Sequence, residues 1–266
     1  MKTTLITGAS GGIGEAFARR LAAEKHNLFL VARSGEKLAA LCTELKAKYD
    51  IEAQFFALDL TERESDARLF EQTERLGLNV EWLINNAGFG NFGEFADAHL
   101  EKELGMIDLN VRSLVALTHR YLTPMREKRV GVVINVSSTA GFQPVPFMAT
   151  YAATKAFVTS FSEALWEENR QFGVRVIALC PGGTRTNFFN EAGVGEKMPL
   201  RALETPEAVV ETALRGVRAG RSYIISGWSN RFAAQFGNLF PNSWIARIIG
   251  KVLRPRVQAE NGQQNS

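Results

Sequence analysis

Two residues with acid–base chemistry lie four positions apart in the second half of the chain. Tyr151 and Lys155 stand at the start of a run whose apolar residues have helical spacing. Positions four apart in a helix share one face and lie about 6 Å apart along the axis. The lysine ammonium can therefore lie near the phenol oxygen, where a positive charge favours the phenolate and lowers the pKa of the tyrosine. Such a pair can exchange a proton with an alcohol or a ketone.

A serine hydroxyl could assist this pair. Ser138 precedes Tyr151 by thirteen residues and comes just after the apolar run Val130–Val136, which is typical of a buried strand. By itself, a tyrosine followed four residues later by a lysine more often describes a surface tyrosine beside a solvated lysine. The catalytic interpretation therefore depends on what the rest of the chain builds around these side chains.

The composition describes a soluble, enzyme-sized domain. The chain has 266 residues, of which 45% are hydrophobic and 22% charged, and its formal net charge of +3 is too small to indicate nucleic-acid binding. Cys42 and Cys180 form no spaced cluster and the three histidines form no metal-ligand motif, so we expect no metal and a reducing, cytoplasmic location. No apolar run reaches the roughly 18 residues expected of a membrane span.

The N-terminal segment predicts a phosphate-binding turn. Thr3–Thr7 has the composition of a buried strand, and an alanine-rich helix is predicted over Glu15–Lys25. Between them, the sequence Gly8-Ala-Ser-Gly-Gly-Ile-Gly14 places glycines at a strand-to-helix turn, where the backbone can approach a phosphate at the helix N-terminus. A glycine-rich turn alone is weak evidence, but this one has the strand and the helix that the interpretation requires.

The end of the second strand bears on the choice of dinucleotide. The predicted strand Asn27–Ala32 runs into Arg33, with no carboxylate until Glu36. An acidic residue at this place would accept ribose hydroxyls and repel a 2′-phosphate, whereas a guanidinium can form charge-assisted bonds to that phosphate. The alternative is a solvated loop arginine. We therefore predict that NADP(H) is preferred over NAD(H).

Strands and helices alternate along the rest of the chain. The further predicted strands are Ala53–Leu58, Trp82–Ile84, Val130–Val136 and Val174–Leu179, and the further predicted helices are Gly35–Tyr49, a helix from a Thr61 cap to Leu76, Leu100–Lys128, and one beginning at Tyr151. This alternation predicts an α/β fold, a single Rossmann-like, doubly wound parallel sheet with helices on both faces. Asn110 falls among apolar residues of the long helix, so we expect it to be buried and to need a partner.

Taken together, these motifs resemble the short-chain dehydrogenase/reductase superfamily over roughly Thr3–Gly227. The matching elements are Thr7-Gly8-x-x-x-Gly12-x-Gly14, Asp59, Asn86-Ala87-Gly88, Asn110, Ser138, Tyr151 with Lys155, and Pro181-Gly182 with Thr186. The resemblance implies catalytic roles for Asn110, Ser138, Tyr151 and Lys155. It implies cofactor contacts at Gly8, Ser10, Gly12, Ile13, Gly14, Arg33, Asp59, Leu60, Asn86, Ala87, Gly88, Tyr151, Lys155, Pro181, Gly182, Thr184 and Thr186.

The resemblance also assigns a role to each catalytic position. Hydride transfer belongs to the nicotinamide, while Tyr151 protonates the developing alkoxide in reduction or removes the alcohol proton in oxidation. Ser138, rather than the neighbouring Ser137, would hold the carbonyl oxygen, and Ser137 would support the strand end. Lys155 would lower the pKa of the tyrosine and bond the nicotinamide ribose. Asn110 would position a water that passes protons toward Lys155.

The C-terminal part departs from the commonest pattern of the superfamily. We divide the chain into a catalytic domain, 1–227, with a substrate loop at about 185–202, and an extension, 228–266, that belongs to the same domain and ends in a polar tail from Ala259 expected to be disordered. The extension is apolar and basic, which leaves three interpretations open: a cap on the substrate cleft, a subunit contact or a membrane-surface helix. Packing within the chain is the simplest, so we expect little or no binding to anionic liposomes and no stable insertion, with peripheral contact left open. A homo-oligomer, dimer or tetramer, is expected.

Aromatic and apolar residues near the predicted active site indicate an apolar substrate. They are Phe89, Phe92, Phe95, Phe142, Val145, Phe147, Phe188, Phe189, Val194, Met198 and Leu200. Such a wall suits a lipid-like, acyl or ring ketone better than a sugar. The leading hypothesis is an NADP(H)-dependent reductase or dehydrogenase acting on an apolar ketone or secondary alcohol. The alternatives are a 3-oxoacyl-thioester reductase and a protein that senses NADP(H) without turnover.

Overall fold

A parallel sheet forms the centre of the protein. The computed structural model describes residues 2–193, 203–237 and 240–264. Within these ranges seven strands pair in the order β3-β2-β1-β4-β5-β6-β7, all parallel. The strands are β1 (Lys2–Thr7), β2 (Asn27–Ala32), β3 (Ala53–Ala57), β4 (Asn79–Asn85), β5 (Gly131–Val136), β6 (Val174–Cys180) and β7 (Tyr223–Ile225). The predicted fold class is confirmed.

Helices cover both faces of this sheet. They are α1 (Gly12–Ala23), α2 (Gly35–Tyr49), α3 (Ser65–Arg75), α4 (Leu100–Ile107), α5 (Leu114–Lys128), α6 (Ala149–Arg170), the short α7 (Phe188–Glu191), α8 (Pro206–Arg218), α9 (Trp228–Gly237) and α10 (Asn242–Gln264). None of these helices, over the ranges that the structure describes, is long and apolar enough to cross a membrane.

Burial on both faces explains why the strands read as unbroken apolar runs. In β2, Leu28 and Leu30 enter the core on one side of the sheet, whereas Phe29 and Val31 enter the core on the other side. Successive side chains of a strand point to opposite faces, so a strand covered by helices on both sides needs apolar residues at every position. In β1 the same alternation places Ile6 in the core on one side of the sheet and Leu5 in the core on the other side.

The order of the strands fixes where a ligand can bind. β1 pairs with β2 on one side and with β4 on the other, so the chain changes direction across the sheet at this point. In open parallel sheets a crevice opens beyond the carboxyl ends of the strands at such a reversal. The loops after β1, β4, β5 and β6 therefore meet at one edge.

Two helices differ from the prediction. The helix expected to start at a Thr61 cap starts instead at Ser65, because Thr61 uses its backbone N–H and its hydroxyl to hydrogen-bond the Asp59 carboxylate. The long helix predicted over Leu100–Lys128 is interrupted by a π-helical turn at Asp108–Ser113, between α4 and α5. Such single π turns are often found at functional sites.

The C-terminal extension packs on the sheet domain. Leu253 and Val257 of α10 contact a cluster that contains Phe92, Phe147 and Phe188. The backbone of α10 continues to Gln264. The disorder expected from Ala259 stays a prediction. Three residues of the predicted substrate wall, Val194, Met198 and Leu200, lie outside the described residues. The division at residue 227 stays a prediction.

Candidate active site

The glycine-rich turn forms a cradle at the N-terminus of α1. Gly8 has a positive φ of 64°, which an L side chain rarely adopts, and a Cβ added at Gly14 would lie 2.3 Å from the carbonyl oxygen of Gly8. A side chain at either of these two glycines would therefore clash with the backbone of the turn or strain it. The backbone is left free to approach an anionic group, where the dipole of α1 favours negative charge. Ser10 and Ile13 lie in the same segment.

The cradle is tied to the turn that follows β4. Asn86 donates its side-chain Nδ2 to the carbonyl oxygens of Thr7 (3.0 Å) and Gly8 (3.1 Å). In return, the Thr7 hydroxyl accepts from the backbone N–H groups of Asn86 and Ala87, both at 3.0 Å. Four hydrogen bonds thus join two segments nearly 80 residues apart in sequence. The predicted cofactor residues of β1 and β4 therefore lie together.

At the predicted adenine end of the site, a positively charged arginine lies near a negatively charged aspartate. Arg33 is exposed at the end of β2, and Asp59 follows β3 in the next strand of the sheet. Burial works against the charged form of Asp59, but hydrogen bonds from Thr61 and the charge of Arg33 outweigh it and lower the pKa of Asp59. Leu60 is buried beside them. This corner presents a fixed carboxylate and an accessible guanidinium.

Tyr151 and Lys155 lie on one face of α6 and both are buried, with exposed fractions of 8% and 5%. The Lys155 Nζ lies 5.7 Å from the centre of the Tyr151 ring and donates to the carbonyl oxygen of Val136 at 2.8 Å. Ser137 donates its hydroxyl to the Lys155 carbonyl oxygen at 2.7 Å, which confirms its supporting role at the strand end. Ser138 caps the following turn, its Oγ accepting from the Ala140 N–H at 3.1 Å.

Asn110 is placed by the π turn and is fully hydrogen-bonded. Its Oδ1 accepts from the Phe89 N–H at 3.2 Å, and its Nδ2 donates to the Phe89 carbonyl at 3.0 Å and to the Thr154 hydroxyl at 3.1 Å. A Cβ added at Gly88 would lie 2.9 Å from Asn110 Oδ1 and 3.4 Å from Lys155 Nζ. Gly88 therefore lies between the side-chain amide of Asn110 and the ammonium group of Lys155. The four predicted catalytic residues lie at one edge of the sheet.

The pKa values of the pair run against the prediction made from spacing. Burial raises the pKa of Tyr151 to about 12, and a hydrogen bond with Ser138 offsets only part of this. Burial also lowers the pKa of Lys155 to about 8. The expectation that Lys155 lowers the pKa of Tyr151 is therefore wrong for this structure. The phenol is protonated at neutral pH, the form that donates a proton to a developing alkoxide.

The segment after β6 closes over the glycine turn. A Cβ added at Gly12 would lie 2.9 Å from Thr186 Cγ2, so Thr186 lies directly against the cradle. Thr184 is buried and pairs in a short bridge with Glu204, whose N–H donates to the Gly183 carbonyl at 2.9 Å. Pro181 and Gly182 lead into this segment from the end of β6.

Glu204 and Asn230 support this segment and were not predicted. Glu204 accepts the Ser226 hydroxyl through Oε1 at 2.9 Å, and Asn230 donates to the Ser226 carbonyl at 2.9 Å. Nothing in their local sequence distinguishes them, since they act through contacts with distant strands. Thr154, which orients Asn110, was also missed, although it lies one residue before Lys155.

An apolar cluster borders Tyr151. The ring of Phe188 lies 5.2 Å from the ring of Tyr151, centre to centre, and belongs to one cluster with Phe92 and Phe147. Two members of the predicted wall lie elsewhere: Phe142 packs against Tyr223 in a separate cluster, and Phe95 is largely exposed. The described residues contain no group of three or more acidic, histidine or cysteine side chains able to hold a metal.

Comparison with known proteins identifies the family. The family model described as short chain dehydrogenase matches residues 2–197, which is most of the chain. The chain belongs to the short-chain dehydrogenase family. This confirms the resemblance inferred from the motifs, and the predicted oxidoreductase class agrees with it. The glycine cradle, the turn that follows β4 and the tyrosine–lysine pair all lie within the matched residues.

Named members of the short-chain dehydrogenase family are moderately similar to this chain. A very-long-chain 3-oxoacyl-CoA reductase of Laccaria bicolor is 32% identical over 224 residues, which cover 82% of this chain and 64% of that protein. A 7beta-hydroxysteroid dehydrogenase of Mediterraneibacter gnavus is 32% identical over 230 residues, covering 85% and 86%. A short-chain dehydrogenase from Sphingobium yanoikuyae, solved in complex with NADPH, has a TM-score of 0.82 at 32% identity, covering 90% and 93%.

Proposed function

We propose that the protein is an NADP(H)-dependent reductase that converts an apolar ketone to a secondary alcohol, or the reverse. The observation that carries the proposal is the cluster of Tyr151, Lys155 and Ser138 at the carboxyl edge of the sheet, in which the phenol and the ammonium are both buried. The similar Sphingobium structure with NADPH supports the cofactor. A sensor without turnover has no need of this cluster.

The residues of the cleft fit a dinucleotide. The cradle around Gly8 and Gly14 has no room for side chains and presents backbone at the N-terminus of α1, where a pyrophosphate would bind. Arg33 would contact a 2′-phosphate, since its side chain is exposed to solvent near Asp59 and can reach a ligand there. When bound, the nicotinamide would supply or accept the hydride.

The proton chemistry belongs to this chain's own residues. Tyr151 would donate its phenol proton to the substrate oxygen as negative charge develops there. Ser138 would donate its hydroxyl to the same oxygen and stabilise that charge. Lys155, held by the Val136 carbonyl, would keep a positive charge near the site and contact the ribose. The side-chain N–H groups of Asn110 are already used by Phe89 and Thr154, so Asn110 would position a water through a carbonyl oxygen and pass protons toward Lys155.

The substrate class follows from the cleft beside Tyr151. Phe188, Phe92 and Phe147 form an apolar cluster there, and Leu253 and Val257 of α10 pack against it. A sugar placed beside this cluster would lose its hydration without gaining polar partners. A long-chain 3-oxoacyl thioester is the second candidate, favoured by the named activity of the Laccaria relative. Both substrates present a ketone on an apolar body.

A panel of ketones tests this proposal. Oxidation of NADPH would be followed by absorbance with a bulky ring ketone, a long-chain 3-oxoacyl thioester and a hydrophilic sugar ketone. We expect at least about tenfold higher kcat/KM for the apolar ketones, since burying two or three methylene groups contributes more than about 1.4 kcal/mol. Tight NADPH binding without turnover of any ketone would replace the enzyme with the sensor.

We also propose that the protein forms a homo-oligomer and that it lies in the cytoplasm, the location predicted from its cysteines. Leu100, Leu104 and Ile107 expose large side chains on α4, and Phe157 is exposed on the neighbouring α6. Apolar surface of this kind on adjacent helices is typical of subunit contacts. Leu104→Glu should dissociate the oligomer in light scattering.

A further inference from the structure

The charges of the C-terminal segment are all positive, whereas the rest of the chain carries both signs in nearly equal numbers. Residues 228–257 contain five Lys or Arg residues and no Asp or Glu, whereas the remaining residues contain 26 basic and 28 acidic side chains. The small positive charge of the whole chain therefore hides a strongly basic segment on a slightly acidic body. Such segregation points to a negatively charged partner for this segment.

Helix α10 has two apolar faces rather than one. Its inner face carries the buried Ile245 and Val257 together with Leu253, and Leu253 and Val257 pack against the aromatic cluster of Phe92, Phe147 and Phe188. Its outer face carries Trp244, Ile248 and Val252, which are 60%, 63% and 61% exposed. These three residues are spaced four apart and form one stripe along the helix. Packing within the chain accounts for the inner face but leaves this outer stripe in solvent.

Basic side chains border the outer stripe. Arg247, Lys251 and Arg254 are exposed and stand three or four positions apart, so they form a second row beside the apolar one. Long basic side chains can keep their charges at a lipid headgroup while their stems lie on apolar surface. Trp228, at the start of α9, is 86% exposed and adds a ring of the kind enriched at membrane–water interfaces.

We propose that α10, through its outer stripe of Trp244, Ile248 and Val252 and its basic row, binds the surface of an anionic lipid membrane. A two-fold contact of this face with the same face of a second copy fits less well, because residues 228–257 of both copies carry five basic and no acidic side chains and would repel each other. Anionic headgroups supply that charge and the adjacent acyl region accepts the apolar stripe.

This surface adds to the proposed function without depending on it. The inner face of the same helix packs against the aromatic cluster beside Tyr151. Binding through the outer face would therefore hold the active site near the bilayer, where an apolar ketone concentrates. The exposed stripe also revises the expectation of little or no liposome binding drawn from the sequence. That expectation assumed one apolar face used for internal packing.

Vesicle flotation of the full chain tests the proposal. The probes are vesicles of phosphatidylcholine alone and of phosphatidylcholine with about 30% phosphatidylserine, at 0.1 M and 0.5 M NaCl. We expect flotation with the anionic vesicles at low salt and at least a tenfold lower partition coefficient at high salt or without phosphatidylserine. Absence of flotation with anionic vesicles at low salt would overturn the proposal.

Two variants and one matched control locate the contact. The triple change Arg247→Gln, Lys251→Gln and Arg254→Gln should lower partition at least tenfold, as should Ile248→Ser with Val252→Ser. Because these side chains are exposed, both variants should keep the unfolding midpoint of the unmodified chain. The control replaces three exposed lysines of α2, Lys37, Lys46 and Lys48, by Gln, which removes the same charge from another face.

The pattern of flotation among these variants distinguishes lipid binding through α10 from binding elsewhere and from self-association. The proposal holds if only the α10 variants lose flotation. If the α2 control loses as much, or if neither α10 variant loses any, binding is not through this helix and the proposal is wrong. If the unmodified chain self-associates but does not float, and Ile248→Ser with Val252→Ser abolishes the self-association, the outer face binds a second copy and the proposal is wrong. NADPH oxidation in lipid-free buffer tests the enzyme separately, so a failure of either proposal is recognised by itself.

Discussion

Replacing the buried Lys155 by methionine should change how stability depends on pH. Burial lowers the pKa of this ammonium from 10.5 to about 8 in the folded protein. Between these two values the unfolded chain binds more protons than the folded one, so the stability of the unmodified protein rises with pH through this window. Below pH 8 both states are protonated, and the contribution is constant. Lys155→Met has no such group and lacks this rise.

The size of the effect follows from the difference between the two pKa values. It corresponds to roughly 3 kcal/mol, of which about 2–3 kcal/mol develops between pH 7 and pH 10. The lost hydrogen bond to the Val136 carbonyl costs the variant about 1–3 kcal/mol, but this cost does not depend on pH. A buried group that both proteins share and that does not interact with Lys155, such as Tyr121, titrates in both and cancels in the difference.

Urea unfolding measured by tryptophan fluorescence at pH 7, 8, 9 and 10 gives the comparison. The stability of the unmodified protein minus that of Lys155→Met should grow by about 2–3 kcal/mol over this range, with equal m values. Lys46→Met, which removes an exposed lysine of α2, controls for the lost charge. Parallel curves for the unmodified protein and Lys155→Met would refute the reasoning, because the ammonium could not then be desolvated against Val136.

Three other changes test separate parts of the site. Arg33→Asp should narrow or reverse a preference for NADP(H) over NAD(H) that we expect to be at least tenfold, or about 1.4 kcal/mol, by fluorescence titration; equal affinities in the unmodified protein would contradict the assignment. Gly90→Ala places a Cβ 2.8 Å from Phe188 Cζ, so it should raise KM for an apolar ketone several-fold while the Kd of NADPH stays the same; an unchanged KM would remove Phe188 from the cleft. Gly14→Ala, whose Cβ would lie 2.3 Å from the Gly8 carbonyl, should abolish detectable NADPH binding by calorimetry, and intact binding would show that the cradle is elsewhere.

Local patterns predicted most of the sheet and most of the site. The apolar runs of β1, β2, β5 and β6 are unbroken because both faces of the sheet are covered, and that composition is visible in the sequence. The glycine turn and the spacing of Tyr151 and Lys155 depend on a strand end and a helix, which are also local features. Local sequence alone is therefore sufficient to predict these elements.

Long-range contacts decided the rest. Thr61 has the residue type of a helix cap, but its hydroxyl is directed to the Asp59 carboxylate, to which it donates a hydrogen bond. The π turn at Asn110 depends on hydrogen bonds to Phe89 and Thr154, 21 and 44 residues away. The pKa of Tyr151 depends on burial, which spacing does not reveal, so the predicted shift had the wrong sign.

The C-terminal helix shows the same limit. Its sequence indicated an amphipathic helix with three possible partners. Only the packing of Leu253 and Val257 on the cleft shows which face is used internally. The face with Ile248 and Val252 is then identified by what remains exposed. Amphipathic patterns reveal that a helix has faces, but the number of partners depends on the tertiary structure.

The central claim is that Tyr151 donates the proton, and Tyr151→Phe tests it most directly. The change removes one hydroxyl and keeps the ring beside Phe188, so the Kd of NADPH should change by much less than about tenfold while kcat falls by at least about 10²–10⁴. Tyr121→Phe is the matched control, since it removes another buried phenol hydroxyl, bonded to Thr73 at 3.0 Å, and should keep kcat. The measurement is kcat and the Kd of NADPH for the three proteins on one good ketone. Retention of most of the activity by Tyr151→Phe would contradict the account.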